Sequence, residues 1–507
     1  MAGKVQIATN GFITEQLTSE PDFTFFNHRF SKHTHFAKET VKLRPDNEKV
    51  VQTGDHVEFT IPANSGDIIN GLSISFSIPD NLNILNTDSA AVYVVDQFGI
   101  SIFEYIDLYL GDQLIDRITS DDIHIHTTTR SPSTYNNTNA FLHGLRFNPT
   151  KYNASFDTRY TPRFHYGTQN INGQFHRLLE TNYVSGLTNR VIFNFMVELP
   201  FYFHDRPKYG FPLCSIQSQE LKIRMKLRDG REVLFPSNIL NQYAQSTQVV
   251  SQWDYANDHK TTNFQLSDFK LNMDVIHLDK AERIKLRSLC KDLLIEQNQH
   301  NIFTMESGVI NEKYRLNLKN CVKELYFIVK KKYKPLTTGE INTLNALSNA
   351  SKPDSIFTNN PTAVFQKPVP CIYMRQKYVT LTCDGLPILD DTTGSHQFLS
   401  ACIPDIYHKQ SPYESNLTMY SFALHPDNME PSGDLNFSMI KDATIHVELS
   451  NDGAYGLYDV DQQLIDSWAP FGLPPPTNVV HVEKDIHIIA KSYNILRIKD
   501  GVGEILF

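Results

Sequence analysis

The chain has 507 residues, of which 40% are hydrophobic, 20% are charged and 11% are aromatic. This composition is typical of a globular protein with a ring-filled, β-rich core, and it argues against disorder over the whole chain. The formal net charge of -9 argues against a coat that wraps nucleic acid directly, because neutralising phosphates requires many Lys and Arg side chains.

The N-terminal region carries neither a basic arm nor a secretory signal. Residues 1–50 hold seven Lys or Arg against six Asp or Glu, and MAGKVQIATNGF lacks an apolar core. No run approaches the roughly 18 apolar residues of a membrane span. We therefore expect synthesis in the cytoplasm. The cysteines show no paired spacing and are predicted to be reduced, buried thiols: Cys214, Cys290, Cys321, Cys371, Cys383 and Cys402.

Alternating apolar residues predict strands through the first half of the chain. Residues 1–22 are polar and are predicted to form an arm. Strands are then expected at HVEFTIP, LSISFSI and EYIDLYLGDQLIDRI, the last turning at Gly111 and Asp112. Residues 123–189 lack regular patterning and are predicted to be long loops. VIFNFMVELPFYF resumes the pattern, and in ELKIRMKLRDG every second residue is apolar, which predicts a half-buried strand.

The second half begins with the predicted strand FKLNMDVIHL and continues into a predicted surface helix. Asp279 is placed to cap that helix, with Glu282 completing a capping box. Five apolar residues follow at helical spacing: Ile284, Leu286, Leu289, Leu293 and Ile295. Strands are predicted in KYRLNLKNCVKELYFIVK and HIIAKSYNILRI, a loop over 331–369, and a hairpin in KYVTLTCDGLPIL around Asp384 and Gly385.

Residues 416–452 predict two strands and a turn. Tyr420, Phe422 and Leu424 alternate with smaller residues, the run HPDNMEPSG cannot continue a strand, and TIHVEL then alternates again. An aromatic strand, a proline-rich turn, an alternating strand and Asp-Gly occur in the same order over 201–230 and 419–453. This repeat indicates two similar units. We predict an arm over 1–22, a first unit over 23–230, a linker over 231–266 and a second unit over 267–507.

Five segments in order resemble the major capsid proteins of nucleocytoplasmic large DNA viruses, the group with iridovirus and algal-virus members. The segments are PDFTFFNHRFSKHTHFAKE, VELPFYFHDRPKYGFPLCSIQSQELKI, LDKAERIKLRSLCKDLLIEQNQ, SFALHPDNMEPSGDLNFSMIKDATIHVEL and YNILRIKDGVGEILF. The patterning alone supports an all-β chain of two tandem sandwiches with minor helices. The resemblance implies that these are two eight-stranded jelly rolls, a double jelly roll.

The function that this resemblance implies is structural and not enzymatic. Homotrimers whose six jelly rolls make a pseudo-hexagonal capsomer would build the icosahedral shell of a large double-stranded DNA virus. The implied partners are copies of the chain, neighbouring capsomers, minor capsid or cement proteins and, indirectly, an internal membrane. No catalytic residue, metal, cofactor or direct nucleic-acid contact is expected. The implied location is the virion capsid, with synthesis and assembly in the host cytoplasm.

A metal-binding enzyme on a jelly-roll fold is the main rival reading. His33, His35 and Glu39 match the HxHxxxE core of cupins. A cupin needs glycines flanking that core, whereas Asn27 and Asp46 occupy the corresponding positions. A cupin-like enzyme, a lectin and a β-sandwich scaffold that never forms a shell remain the alternatives.

Three further motifs are interpreted as structural. His124 and His126, with Asp121 and Asp122 beside them, are predicted to be solvated loop residues because no third ligand converges on them. The glycines of DGVGEILF precede no helix that could cradle a phosphate, so they are expected to end the chain without binding a nucleotide. Four lysines are predicted to form a solvated strand end: Lys330, Lys331, Lys332 and Lys334.

Overall fold

A computed structural model describes the chain in segments separated by gaps. The described residues are 4–5, 8–9, 11–21, 24, 26, 32–47, 50–78, 92–94, 98–129, 193–236, 263–288, 291–306, 309–331, 373, 376–408, 417–449 and 483–507. All but the first residue of the predicted loop over 331–369, and residues 130–189 of the predicted loop over 123–189, therefore lie outside the described residues.

Ten strands lie in the first half and ten in the second half of the described chain. The first ten are β1 Phe36–Leu43, β2 His56–Ile61, β3 Ile68–Ile78, β4 Val92–Val94, β5 Phe103–Leu110, β6 Gln113–Thr119, β7 Phe193–Glu198, β8 Leu221–Leu227, β9 Leu234–Pro236 and β10 Ser267–Leu278. The others are β11 Lys291–Met305, β12 Asn311–Arg315, β13 Cys321–Lys331, β14 Gln376–Cys383, β15 Leu386–Leu389, β16 Thr418–Ser421, β17 Leu435–Asn436, β18 Ala443–Leu449, β19 Lys484–Lys499 and β20 Val502–Ile505.

Helices are short and lie between the strands. The α-helices are α1 Phe12–Thr18, α2 Phe98–Ser101, α3 Ser120–Thr129, α4 Gly230–Val233, α5 Lys280–Ser288 and α6 Ile403–Tyr407. A π-helical segment, Phe398–Cys402, leads directly into α6, and 3₁₀ turns occupy Pro207–Tyr209, Leu213–Ser215 and Phe437–Met439. No helix in these described segments combines the length and the apolar composition needed to cross a bilayer.

The strand orders define two jelly rolls. In the first half, all-antiparallel sheets run β1-β10-β3-β7 and β2-β8-β5-β6, with β4 and β9 forming a separate pair. In the second half, they run β11-β19-β13-β16 and β12-β18-β14-β15, with β17 and β20 added at the side. Ranked along the chain, the eight main strands of each half follow the orders 1-8-3-6 and 2-7-4-5. Two facing four-stranded antiparallel sheets of this kind form a jelly roll, so the predicted double jelly roll is confirmed.

The alternating strands bury one face, as their patterns predict. Leu221, Ile223 and Met225 of β8 are at most 1% exposed, whereas the Lys and Arg residues between them are only half-buried. Strand β18 repeats this pattern with Ile445 and Val447, which are fully buried in the second core. A period of two therefore places one set of side chains between the facing sheets of each jelly roll.

The placement of Ser267–Leu278 in the second unit was wrong. This strand, β10, pairs with β1 along its whole length and with β3 on its other side. It closes the first jelly roll as β19 closes the second. The alternation in FKLNMDVIHL correctly predicts a strand, but a local pattern does not reveal which distant strand it joins.

The hairpins at the two equivalent positions share their loop length and their register shift, although only the second has two residues with positive φ. Leu110 pairs with Gln113, and Cys383 pairs with Leu386, so both loops have two residues. The second strand of each hairpin then carries a register shift of one residue, at Ile115 in β6 and at Ile388 in β15. The predicted turn around 384–385 is confirmed, since both residues have the positive φ values that such a turn requires. The match agrees with an internal duplication.

The two strands of the 416–452 segment do not pair with each other. Strand β16 pairs with β13, whereas β18 pairs with β12 and β14 in the facing sheet. The turn run therefore carries the chain from one sheet to the other, as the segment between β7 and β8 does in the first unit. Strand β16 ends at Ser421, and Leu424 is 68% exposed.

The predicted helix is shorter than its apolar spacing suggested. Helix α5 ends at Ser288, and Leu293 and Ile295 lie in β11, which pairs with β19 over all fifteen of its residues. Because positions spaced by four also share one face of a strand, the spacing alone did not separate the two structures. Of the cysteines in the described segments, Cys214 and Cys383 are buried as predicted, whereas Cys402 is exposed.

Candidate functional site at the junction of the two units

The cupin-like motif does not assemble. His33 and His35 are exposed and precede β1. Glu39 lies within that strand, with one carboxylate oxygen 3.0 Å from Nε2 of His277. Across the described segments, no three His, Cys, Asp or Glu side chains are grouped in a way that could hold a metal ion.

His124 and His126 lie in a helix that is buried between the two units, so their prediction as solvated loop residues was wrong. Nine of the ten residues of α3 are buried. The ring of His124 is fully buried and lies 5.7 Å from the ring of Tyr373 in the second half of the chain. The ring of His126 contacts that of His204 at 5.5 Å. Helix α3 is thus part of the inter-unit contact.

Lys330 is the partner of Asp121 in that contact, and the prediction of a solvated strand end was wrong for it. Lys330 is only 8% exposed, and its Nζ donates to the Asp121 carboxylate from the other unit. Tyr373 Oη donates to the same carboxylate at 3.0 Å. Burial would raise the pKa of Asp121, but the surrounding cationic groups, with Lys330 first among them, together outweigh it and hold that pKa well below its usual range. Lys332 and Lys334 lie outside the described residues.

A second ion-pair group crosses the junction around Glu296 of β11. Arg206 of the first unit donates to Glu296 Oε2 at 2.9 Å and to the Asp427 carbonyl at 3.1 Å. Lys323, whose side chain is fully buried, donates to Glu296 as well and to the Pro426 carbonyl at 2.7 Å. One carboxylate therefore serves a cation from each unit, which fixes the relative position of the two units.

The edge of one sheet meets the edge of another at the same junction. Strand β6 is the last strand of its sheet in the first unit, and β11 is the last strand of its sheet in the second. Asp116 accepts from the Asn298 N–H at 2.9 Å, Gln297 donates to the Ile115 carbonyl, and His300 Nε2 lies 3.3 Å from the Arg117 carbonyl. Hydrogen bonds that involve side chains thus join the edges β6 and β11, and the two strands form no backbone ladder with each other. Burial raises the pKa of Asp116 well above its usual value.

Gly501 and Gly503 belong to a hairpin that packs against the first unit. The Gly501 carbonyl accepts from the N–H groups of Gln217 and Ser218 at 3.0 and 3.2 Å. The Gly503 N–H donates to Gln219 Oε1 at 2.7 Å. These glycines are therefore structural. Four apolar residues of the second unit also join the core of the first: Ile295, Met429, Leu496 and Ile498.

A further buried ionic group stabilises the loop that reaches the junction. His408 Nε2 lies 2.9 Å from Glu324, and its Nδ1 lies 2.9 Å from Asp427. Burial alone would lower the pKa of His408, but the two carboxylates outweigh it and raise that pKa. Burial would likewise raise the pKa of Glu324, but His408, together with Lys491 and Lys323, outweighs it and lowers that pKa, so the carboxylate stays ionised.

Sequence reasoning missed Arg206, Glu296 and Lys323. A signal was present, since Lys323 and Glu324 interrupt an otherwise apolar run, and a charge inside a buried strand usually has a partner. The sequence did not identify those partners, because Glu296 and Arg206 are 27 and 117 positions away from Lys323. The assembled groups are paired charges.

The junction gives a prediction for acid stability. Burial, and then Lys330, lower the pKa of His487 from 6.5 to about 3, so the imidazole is neutral in the folded chain. The unfolded chain takes up the proton first, so stability present above pH 6.5 is lost as the pH falls below it, by up to about 1.4 kcal/mol per unit. We expect the free energy of unfolding of His487→Gln to fall less steeply than that of the wild type between pH 6.5 and 4.5.

Other charged groups also influence the pKa of His487 or the pH dependence of stability. His300 and Arg228 lower its pKa further, and only Asp121 opposes them. The raised pKa of His408 affects stability above pH 6.5, outside the window. An unchanged pH slope in His487→Gln, measured by denaturant titration at each pH, would contradict a buried neutral imidazole.

Models of two family regions match the chain almost end to end. Residues 24–279 match "Major capsid protein N-terminus", and residues 282–504 match "Large eukaryotic DNA virus major capsid protein". The chain belongs to this major capsid protein family. The two matches meet between β10 and the body of α5, where the strand pairing also divides the two jelly rolls.

Individual relatives extend over the whole length of this major capsid protein. It is 23% identical over 572 residues to the major capsid protein of Phaeocystis pouchetii virus, covering 100% of this chain and 99% of the relative. It is also 23% identical over 528 residues to that of Paramecium bursaria Chlorella virus 1, with 100% of both covered.

Solved structures share the double jelly-roll fold. A quasi-atomic model of the PBCV-1 virus capsid superposes with a TM-score of 0.58 at 18% identity, covering 96% of this chain and 100% of that one. The Faustovirus major capsid protein superposes with a TM-score of 0.58 at 13% identity, covering 97% and 95%. These likenesses concern the fold alone.

Proposed function

We propose that three copies of this major capsid protein close into a ring of six jelly rolls, the pseudo-hexagonal capsomer of an icosahedral shell. The observation that carries the proposal is the junction between the units. The first unit uses its β6 side and the second its β11 side, and these strands hold different positions in the two jelly rolls. Such a head-to-tail contact leaves a free β6-type side and a free β11-type side at the ends of the chain. Repetition of the contact closes a ring when the rotations at the successive contacts add up to a full turn.

Rigidity supports the same proposal. A shell tile keeps its outline only if its two units do not rotate against each other. The junction joins them through two buried ion-pair groups, a side-chain-bridged pair of edges and a shared apolar core. Breaking paired charges in such a setting is costly, which disfavours hinge motion.

The remaining roles follow from the capsid assignment. The protein is a component of the virion shell, made and assembled in the host cytoplasm, and it acts without catalysis or cofactor. Its partners are copies of itself, neighbouring capsomers, minor capsid or cement proteins and, through these, an internal membrane. Its net charge of -9 keeps free capsomers soluble and disfavours direct contact with the genome. The domain division that we propose runs from β1 to β10 and from β11 to β20.

The mass in solution tests the trimer. An obligate interface buries well beyond the roughly 1,600 Å² of an ordinary complex, so the trimer should persist on dilution. Light scattering of the purified chain should give three times 58.1 kDa at the lowest measurable concentration. A stable monomer at high concentration would contradict the capsomer.

A further inference from the structure

We infer that the contact between neighbouring copies repeats the internal junction, with the β15 side of one copy seated on β1 of the next. This inference rests on the proposed trimer and names the surfaces that build it. Strand β15 is the counterpart of β6, because both follow two-residue hairpin loops and carry the same register shift. Strand β1 is the counterpart of β11, since each is the edge strand that pairs with the last long strand of its jelly roll.

Exposure distinguishes the free surfaces from their covered counterparts. In β11, which meets the first unit, only three of fifteen residues are exposed. In β1, six of eight residues are exposed and the other two are only half-buried. An edge strand left open in this way usually acquires a partner or a protective device.

The helical segments that follow β6 and β15 differ in the same way. Helix α3 follows β6 and is buried almost completely beneath the second unit. The helical segment 398–407 follows β15, and it exposes Cys402, Asp405 and Ile406, the last at 67%. Leu386 at the start of β15 is 69% exposed. This apolar surface corresponds to the one that the second unit covers in the first.

The charges on the two free surfaces are complementary, with the polarity of one of the two ion-pair groups at the internal junction; the other group, Arg206 with Glu296 of β11, has the opposite polarity. Internally, carboxylates on the β6 side, such as Asp121, meet cations of the second unit, such as Lys330. On the free β15 side, four carboxylate residues are exposed: Asp384, Asp390, Asp391 and Asp405. On β1 and just beyond it, three basic residues are exposed: Lys38, Lys42 and Arg44. Lys38 and Lys42 share one face of the strand because they are four residues apart. The exposed carboxylate of β1, Glu39, lies on the opposite face of the strand and contacts His277.

A second copy of this chain is therefore the occupant that fits. The β15 surface presents carboxylates around exposed Leu386 and Ile406, and β1 presents lysines around exposed Phe36. Both surfaces belong to every copy, so a single contact type satisfies all three junctions of a closed ring. Steering between the opposite charges would also accelerate trimer assembly at low salt.

Charge reversal tests this surface. Lys38→Glu with Lys42→Glu should make the β1 surface negative like the β15 surface, and Asp391→Lys with Asp405→Lys should cancel the negative charge of the β15 surface. In each variant the concentration at which the trimer dissociates should therefore rise at least tenfold. A chain carrying all four changes restores opposite charges between the exchanged residues and should recover the wild-type mass. The matched control, Lys280→Glu with Lys285→Glu on the exposed face of α5, should remain trimeric.

Two readouts keep the test decisive. Near-ultraviolet circular dichroism should show that each variant is folded. If either variant unfolds, carbodiimide treatment of the unmodified trimer decides instead, since it should link Lys38 or Lys42 to Asp391 or Asp405 in covalent dimers and trimers. Trimeric two-site variants, failure of the four-site variant to recover, or absence of those links would overturn this surface and leave the trimer standing. A monomeric unmodified chain would overturn both proposals.

Discussion

Replacing Ile223 with Asp should unfold the first jelly roll, at a cost of more than about 4 kcal/mol. The Ile223 side chain is fully buried at the centre of β8, between strands β2 and β5. A carboxylate at this position has no cation inside the core and must either stay charged without solvent or take up a proton. Calorimetry should show the first unit's transition lost or shifted far down in temperature.

The neighbouring residue provides the matched control. Arg224 lies on the outer face of β8, with its side chain 43% exposed, its Nε 3.1 Å from Glu58 and its guanidinium over the Tyr109 ring. Exposed ion pairs contribute at most about 1 kcal/mol, so Arg224→Ser should change the melting temperature only slightly. Equal melting temperatures for Ile223→Asp and Arg224→Ser would contradict the facing of this strand.

Replacing Lys330 with Met should cost about 3–5 kcal/mol of unfolding free energy and loosen the contact between the units. Methionine keeps much of the side-chain volume but leaves the Asp121 carboxylate buried without its ammonium partner. Because Lys330 is first among the cationic groups that hold the pKa of Asp121 low, its loss should raise that pKa steeply. Denaturant titration at neutral pH measures the lost free energy.

Removing Asp121, the partner of Lys330, as well tests whether the loss comes from an unpaired buried charge. Asp121→Asn combined with Lys330→Met removes both charges, so most of the lost stability should return. Lys377 is the exposed control, since its ion pair with Glu448 leaves the lysine side chain 60% exposed, and Lys377→Met should cost at most about 1 kcal/mol. Equal losses for Lys330→Met and Lys377→Met would show that the inter-unit pair is not buried.

The sequence predicted strands well wherever one face had to be buried. The alternation in ELKIRMKLR and TIHVEL determined which side chains point inward, because the strand period of two admits only one arrangement. Turns were equally accessible, since Asp384 and Gly385 are suited to the positive φ values found there. These features depend only on neighbours within a few residues.

Long-range partners could not be predicted in the same way. The strand 267–278 was assigned to the wrong jelly roll because its pairing with β1 involves residues more than 200 positions away. Asp121 and Lys330 appeared solvated for a similar reason, since each is hydrophilic locally and buried only by the other unit. The contacts at the junction are therefore visible only in the three-dimensional arrangement of both units.

Two similar units in one chain have a physical advantage in a ring of the proposed kind. Joining two jelly rolls covalently makes half of the contacts in a six-membered ring intramolecular, which raises their effective concentration. It also allows the internal junction to use buried ion pairs, which need accurate geometry to be favourable. The contacts between copies then involve exposed charges and apolar side chains, which suit association from solution.

Electron microscopy of the purified chain tests the central claim most directly. The account predicts single particles with a six-sided base made of six jelly rolls and three raised lobes related by a threefold axis. The density should show β15 of each copy beside β1 of the next. Isolated particles of two jelly rolls, or rings with any other number of copies, would contradict it.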